Sequence, residues 1–477
     1  MGLRPKEHRS TRFSQKVAFM TARRNAAPPS DVPEGPVAGL AARRAAHEAV
    51  AGLLGKGRAF ALEDALAQTG GGLEPGEAAL ARAIATATFR RFGLLRAVLA
   101  ERLSQGLPED DPRLLALLAT GAAQILDLAV ADHAAVDLSV RLAKADLELR
   151  YRAGLVNAIL RRVTRERDAI LANAGDALDV NTPDWLAARW RAAYGEDAAH
   201  RIAAAHLDGA AVDLTIREDA AAWATTLGGV ALGLGSVRLA EVDTPVASLP
   251  GYAEGAWWVQ DAAAALPARL LQAAPGERIA DLCAAPGGKT AQLAVTGAAV
   301  LAVDRSGVRL DRLRKNLERL GLGAEICVAD ATTLDVDAPF DGILLDAPCS
   351  ATGTIRRHPD VAWTKTETDI ARLAGLQRRL LDKAATLVRP GGRLVYCSCS
   401  LEPEEGEQQI AGFLERHPEF ERVPVTADEV AGQVEMIDVQ GDLRTLPCHL
   451  PLSSSGETGA RRGGLDGFFA SRLRRTA

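Results

Sequence analysis

The sequence has no C-x-x-C pair, and its six cysteines, at 283, 327, 349, 397, 399 and 448, are few for 477 residues. That excludes a zinc ribbon and a dithiol redox motif, and a chain long enough for two or three cores needs no disulfide framework. Reduced thiols in a cytoplasm are the expectation. No apolar run approaches the length of a membrane span, and no signal-peptide shape opens the chain. Lysine is scarce, eight of the 56 basic residues, so any phosphate grip must rest on arginine forks. A net charge of −5 excludes a protein that is basic all over, while leaving room for a local basic face toward nucleic acid.

What is present divides the chain into four stretches. Residues 1–36 begin with seven Lys/Arg and one acid and continue rich in Pro and Ala. This predicts a disordered basic arm and linker, either touching RNA or simply solvated, with a transit peptide as a third option. Residues 37–171 carry only helical signals: Ala41–Leu54 has few breakers, Asp111-Pro112 forms a cap with proline behind it, and Asp132 is placed to cap the next helix. The expectation is a bundle of six or seven helices. Within it, Asp132-His133-Ala134-Ala135-Val136 followed by Gly154-Leu155-Val156-Asn157-Ala158-Ile159-Leu160-Arg161-Arg162 resembles the NusB family, which implies an RNA-binding all-α fold. A bundle that only packs on its neighbour is the alternative. Residues 172–255 predict a small α+β module, with helices near 183–194 and 196–206 and a strand at Val212–Arg217.

From 256 to 477 strands alternate with helices, the pattern of an α/β fold with a mostly parallel, Rossmann-like sheet. Arg278–Cys283 reads as a buried strand running into Ala284-Ala285-Pro286-Gly287-Gly288-Lys289-Thr290 and a helix. Small residues there let the backbone close on a ligand, and the helix start offers free N–H groups. The turn lacks both the G-x-G-x-x-G of NAD enzymes and the spacing of a P-loop. Asp304 ends the second strand, where an acid can hold ribose hydroxyls; Asp330 follows the third and can take an adenine amino group; Asp346 ends the fourth. One such aspartate is commonly just a helix cap. Four functional loops at the carboxyl edge of one sheet predict a cofactor site formed by Cys283, Ala284, Ala285, Pro286, Gly287, Gly288, Lys289, Asp304, Asp330 and Asp346.

Two cysteines then fall at adjacent strand ends, Cys349 and Cys399. Cytosine C5 is a poor nucleophile while its ring is aromatic; a thiolate adding to C6 turns C5 into an enamine carbon. Asp346, once protonated, is placed to meet the charge that develops at N3. Cys397 is the buried neighbour in the strand, and Cys283, Cys327 and Cys448 read as small buried hydrophobes. Arg356, Arg357 and His358 are candidates for phosphate contacts, or form a solvated loop. No ligand set for a metal accompanies the C-x-C pair, so none is expected.

Asp281-Leu282-Cys283-Ala284-Ala285-Pro286-Gly287-Gly288-Lys289-Thr290, Asp346-Ala347-Pro348-Cys349-Ser350-Ala351-Thr352-Gly353 and Tyr396-Cys397-Ser398-Cys399-Ser400 with Glu402-Pro403-Glu404-Glu405 resemble the RNA 5-methylcytosine methyltransferases. With the NusB-like front and Asp466-Gly467-Phe468-Phe469-Ala470-Ser471-Arg472-Leu473 at the end, the chain is similar to the bacterial RsmB (Sun/Fmu) group. The resemblance implies a class I methyltransferase domain, S-adenosyl-L-methionine as methyl donor, and one cytosine of small-subunit (16S) ribosomal RNA as target. It implies Cys399 as nucleophile, Cys349 as release cysteine, and Lys289 near the target base. Ser398 departs from the usual threonine, and Gly406 stands where asparagine is common. A monomer is the default expectation.

Three rivals stand beside that expectation. A transfer-RNA cytosine methyltransferase shares the chemistry. A DNA cytosine methyltransferase would use Cys349 as nucleophile, but the Glu-Asn-Val triplet of that group is missing. A non-catalytic RNA-binding assembly factor would keep the fold alone.

Overall fold

The computed structural model describes residues 37–55, 61–128, 130–239, 242, 244–450 and 463–476. The basic arm expected over 1–36 lies outside them. Seven helices come first: α1 (Leu40–Leu54), α2 (Leu62–Thr69), α3 (Pro75–Arg90), α4 (Phe92–Ala100), α5 (Pro112–Leu126), α6 (Asp132–Ala145) and α7 (Ala153–Ala172). Helix α5 is the axis of the bundle. It is apolar all round, and every residue from Leu114 to Leu126 is buried. Its start is fixed as the sequence suggests, with Pro112 in the first turn and the Asp111 carboxylate accepting from Leu114 N at 3.0 Å. Asp132 is not a cap: it is the first residue of α6, capped by Ala131 without a side-chain bond. Its carboxylate still faces the positive end of the helix, and Arg167 lies 3.8 Å away.

Three shorter helices, α8 (Ala177–Asn181), α9 (Asp184–Tyr194) and α10 (Glu196–Asp208), lead into β1 (Asp213–Ile216), α11 (Ala220–Thr226), β2 (Val230–Ala231), β3 (Ser236–Arg238) and β4 (Trp257–Val259). These strands make one antiparallel sheet in the order β2-β3-β1-β4. The fourth strand lies past residue 255, where the sequence pattern alone ended this module, because Trp257 pairs with Ile216.

The second sheet holds β5 (Arg278–Leu282), β6 (Ala299–Asp304), β7 (Glu325–Val328), β8 (Phe340–Asp346), β9 (Val388–Ser398), β10 (Phe420–Arg422), β11 (Leu443–Thr445) and β12 (Phe468–Arg475). Its order is β10-β12-β9-β8-β5-β6-β7, with β11 also on β12. The pairs β7-β6, β6-β5, β5-β8 and β8-β9 are parallel, and β12 returns antiparallel to β9. Helices α12 (Ala262–Leu270), α13 (Gly288–Val295), α14 (Gly307–Leu320), α15 (Val361–Thr364), α16 (Glu367–Leu387) and α17 (Glu407–Arg416) complete the layer. The sheet buries side chains on both faces, so its strands read as continuous apolar runs such as Gly342-Ile343-Leu344-Leu345. The order of strand addition reverses at β5, which neighbours β6 on one side and β8 on the other. Ligands sit at the carboxyl edge beside such a switch point.

The helical bundle touches the segment that follows the Pro-Cys loop. Leu62 N donates to Asp360 Oδ2 at 3.1 Å, Trp363 Nε1 to Phe89 O at 3.0 Å, and the Phe92 and Trp363 rings meet edge-on at 5.2 Å. No helix among the described residues is long and apolar enough to cross a membrane.

Candidate active site

At the carboxyl ends of β5 and β8 lies a cleft of about 550 Å³, lined by residues 284–289, Asp346, Cys399, Phe468 and one side of α14. A volume of that order holds a small-molecule cofactor. Helix α13 starts at Gly288, and the first-turn N–H groups of Gly288 and Lys289 have no backbone acceptor among the described residues. Gly287 needs to be glycine: its φ is +102°, and a Cβ would come within 2.6 Å of Leu313 on α14. The strand-end acids sit at different depths. Asp304 is buried, accepting from Ala285 N and Ser306 N, with Arg309 at 3.4 Å. Asp330 is exposed and accepts from Thr332 N and Thr332 Oγ1. Cys283, Asp304 and Asp330 lie behind or beside the cleft rather than in its lining. The groups in and beside the cleft fit S-adenosylmethionine: free N–H groups for a carboxylate, Asp346 in the lining with Asp304 and Asp330 at its edge for hydroxyl and amino groups, and the Trp258 and Phe468 rings.

Asp281, the residue before the last of β5, is wholly buried. Thr290 donates to its Oδ2 at 2.6 Å, while Oδ1 has no partner. Burial pushes its pKa up to about 7 against the Thr290 bond, with the Asp346 and Asp304 charges adding to the rise. The folded state therefore holds this proton more tightly than the unfolded chain. Asp281 contributes stability that is fully present below its ordinary value of 3.8 and is lost as pH rises through about 7. Denaturant unfolding across that range is expected to show the decline in the parent protein and to lack it in Asp281→Asn.

Register brings the cysteines together. Asp346 pairs with Cys397 across β8 and β9, and Ala347 N donates to Cys397 O at 2.9 Å. Beyond the strands the chains diverge into two loops, and Cys349 Sγ and Cys399 Sγ meet at 3.3 Å. Both thiols are half-buried. The bond to Cys399, burial and the Cys399 and Glu405 charges push the Cys349 thiol well up, so Cys349 keeps its proton near neutral pH; either sulfur can be the donor in this contact. Lys289 Nζ donates to Asp346 Oδ2 at 2.8 Å and lies 4.8 Å from the Phe468 ring centre. Burial pulls the ammonium down, but Asp346 and the neighbouring thiols outweigh it and hold its pKa above the ordinary value. Asp346 Oδ1 lies 3.4 Å from Cys397 Sγ, so both carboxylate oxygens act as acceptors here.

A buried acid with no assigned role in the sequence, Glu405, ties the two loops. It accepts from Ser350 N at 2.9 Å, from Ser350 Oγ, and from Gln377 Nε2 at 3.1 Å. Its carbonyl accepts from Ser398 Oγ at 2.9 Å and Tyr396 Oη at 2.8 Å. The hydroxyl that Ser398 shares with threonine is thus spent on shaping the loop that carries Cys399. Arg189 and Trp190 of α9 pair with buried Glu402 in the same loop. The only sequence signal for this clamp was two acids, spaced three apart, following the second cysteine. At Gly406 a Cβ would fall 2.6 Å from Arg444 Nη2, which leaves no room for an asparagine in this packing.

Two expectations change. Arg356 is neither a phosphate contact nor part of a solvated loop: it is fully buried, bonded to Asp261 and, at 3.0 Å, to Asp466. Arg357 also pairs with Asp466 but remains in the cleft lining, and His358 is half-buried. Cys283, Cys327 and Cys448 are half-buried rather than buried: Cys283 follows a strand end, Cys327 lies in the edge strand β7, and Cys448 is in a loop. Burial and the surrounding Asp346, Asp304 and Asp281 charges push the Cys283 thiol up to about 12, which makes it a poor nucleophile. Cys397 is buried as expected.

The doubly wound sheet, its antiparallel return strand and this cleft define a methyltransferase that uses S-adenosylmethionine. The family model for 16S rRNA methyltransferase RsmB/F matches residues 268–474, and that of the NusB family matches 40–165. Ribosomal RNA small subunit methyltransferase B of Xanthomonas campestris pv. campestris is 36% identical over 82% of this chain and 91% of its own. The protein of that name from Pseudomonas syringae pv. tomato is 37% identical over 83% and 88%. The crystal structure of a methyltransferase homologue from Pyrococcus horikoshii superposes with a TM-score of 0.51 at 27% identity, covering 63% of this chain and 97% of its own. The chain belongs to the 16S rRNA methyltransferase RsmB/F family.

Proposed function

We propose that the protein methylates C5 of one cytosine in 16S ribosomal RNA, with Cys399 adding to C6 and Cys349 assisting release. The observation that carries this reading is the 3.3 Å approach of the two thiols in and beside the cleft that carries the cofactor loop. Two cysteines at that distance suit a reaction in which one sulfur must both bond to carbon and leave it. Cys399 Sγ, its proton passed to solvent, forms a bond to C6, and the ring's electron pair moves toward N3 and O2. Lys289, held by Asp346, is placed to meet that charge. S-adenosylmethionine, when bound, supplies the methyl carbon that C5 then takes. Loss of the C5 proton to solvent lets the C6–S bond break, its electrons returning to Cys399 Sγ as a thiolate. Cys349, 3.3 Å away, is placed to donate a hydrogen bond to that sulfur as it leaves.

Residues 284–289 with Asp304, Asp330 and Asp346 hold the cofactor in this reading. C6 cannot be approached within a base stack, so the target cytosine is splayed out when methylated. The small-subunit target rests on the names of the curated relatives. Bisulfite sequencing of small-subunit RNA tests it. One cytosine is expected to resist conversion in the parent strain and to convert in a strain lacking the gene. Protection lost only in transfer RNA would reassign the substrate.

A further inference from the structure

We propose that Arg357 contacts the target nucleotide, its guanidinium donating to the O2 carbonyl of the cytosine that Cys399 attacks. This deepens the cytosine-C5 reading above and depends on it. Arg356 and Arg357 are adjacent yet differ in kind. Arg356 is fully enclosed and has carboxylates on both sides, whereas the Arg357 side chain is 32% exposed. Arg357 Nε reaches Asp466 Oδ1 at 3.1 Å and its Nη2 reaches Oδ2, so one edge of the fork is filled. Its Nη1 makes no hydrogen bond among the described residues, and the side chain lines the cleft with Cys399, Thr354, Lys289 and Phe468.

Asp466 is itself held rigidly. Its N–H donates to Asp261 Oδ1 at 3.2 Å, and Arg356 Nε donates to its Oδ1 at 3.0 Å. A guanidinium clamped on one edge has little freedom left to lose when its open edge binds an acceptor. The loop that carries it is tied to the nucleophile: Gly353 N donates to Cys399 O at 3.1 Å, and Gly467 N to Gly353 O at 2.8 Å. Arg357, Cys399 and Asp466 are thus parts of one hydrogen-bonded unit. Addition of sulfur at C6 leaves negative charge shared between N3 and O2. Lys289, on the β5–β8 side with its own carboxylate, meets one end of that charge. Arg357, in the segment that follows β8 and lines the same cleft, is left for the other. A donor preset where charge develops contributes to the chemical step rather than to ground-state binding.

The test replaces one atom of the substrate as well as the side chain. Synthetic RNA carrying the mapped cytosine is compared with the same RNA carrying 2-thiocytidine, whose sulfur is a weaker acceptor. Full-length Arg357→Lys and Arg357→Ala are expected to lose kcat on the order of 10²-fold while KM for RNA stays within about threefold. The thio substitution is expected to slow the parent protein at least about tenfold, while costing the variants nothing further. The parent protein alone keeps the test decisive should a variant misfold: equal rates on the two RNAs overturn the proposal. So does a thio penalty that persists unchanged in folded variants. Raised KM with unchanged kcat, and a salt dependence weaker by about one ion, would assign Arg357 to a phosphate instead. Absence of 5-methylcytosine from the parent reaction would remove the cytosine reading itself; methylation indifferent to Arg357 and to O2 would remove only this inference.

Discussion

Cys399→Ala is expected to abolish methyl transfer, a loss on the order of 10⁴-fold or more, and to form no RNA adduct. Cys349→Ala is expected to do the opposite on natural RNA: the C6 bond forms, release slows, and a protein–RNA complex that survives denaturing electrophoresis accumulates. The asymmetry follows from position. Cys399 lies in the lining of the cleft that holds Lys289 and the cofactor loop, whereas Cys349 stands behind it, 3.3 Å away and holding its proton. Cofactor affinity measured by titration is expected to stay within about threefold in both variants, since neither thiol belongs to the loop at 284–288. An adduct lost in Cys349→Ala and retained in Cys399→Ala would invert the roles and match the DNA cytosine methyltransferase pattern.

The second large effect concerns stability. Two buried arginines hold three buried aspartates: Arg238 grips Asp213 with two bonds at 2.7 Å, while Arg356 bridges Asp261 and Asp466. Asp213 and Asp261 flank the small sheet and α12, Arg356 follows the Pro-Cys loop, and Asp466 precedes β12. The network therefore pins four separate segments around the cleft. Arg356→Met leaves two carboxylates enclosed with a partner missing, and breaking such a pair costs about 3–5 kcal/mol. Arg357→Met is expected to cost well under half of that, because its side chain is partly hydrated and Asp466 keeps Arg356. Guanidinium unfolding of the two variants checks the contrast; equal losses would contradict the assigned division between a structural and a cleft-facing arginine.

That division was not legible in the sequence. Two arginines beside a catalytic loop read naturally as a phosphate grip, since the partners that decide otherwise lie 95 residues upstream and 110 downstream of Arg356. Only the topology that returns β12 beside β9 brings Asp466 into place. The place of the 284–289 loop at the sheet edge was legible because its signal is local: small residues between an apolar strand and a helix, with acids repeating at successive strand ends. The cysteine pair was legible for a related reason. Adjacent parallel strands, once recognised, put Cys349 and Cys399 at neighbouring loop starts, and register then supplies the distance. Asp132 failed by one residue, a helix start differing from a cap by less than sequence pattern resolves. The depth of Cys283 and the turn that occupies Asp330 depend on loop path, which residue type does not dictate.

The central claim is that Cys399 carries the covalent step. RNA containing 5-fluorocytosine at the target cannot lose a C5 proton, so the complex should stop with sulfur still on C6. Incubation with S-adenosylmethionine, proteolysis and mass mapping of the linked peptide is predicted to place the nucleotide on Cys399. A nucleotide mapped to Cys349, or methyl transfer with no linked peptide, would contradict it.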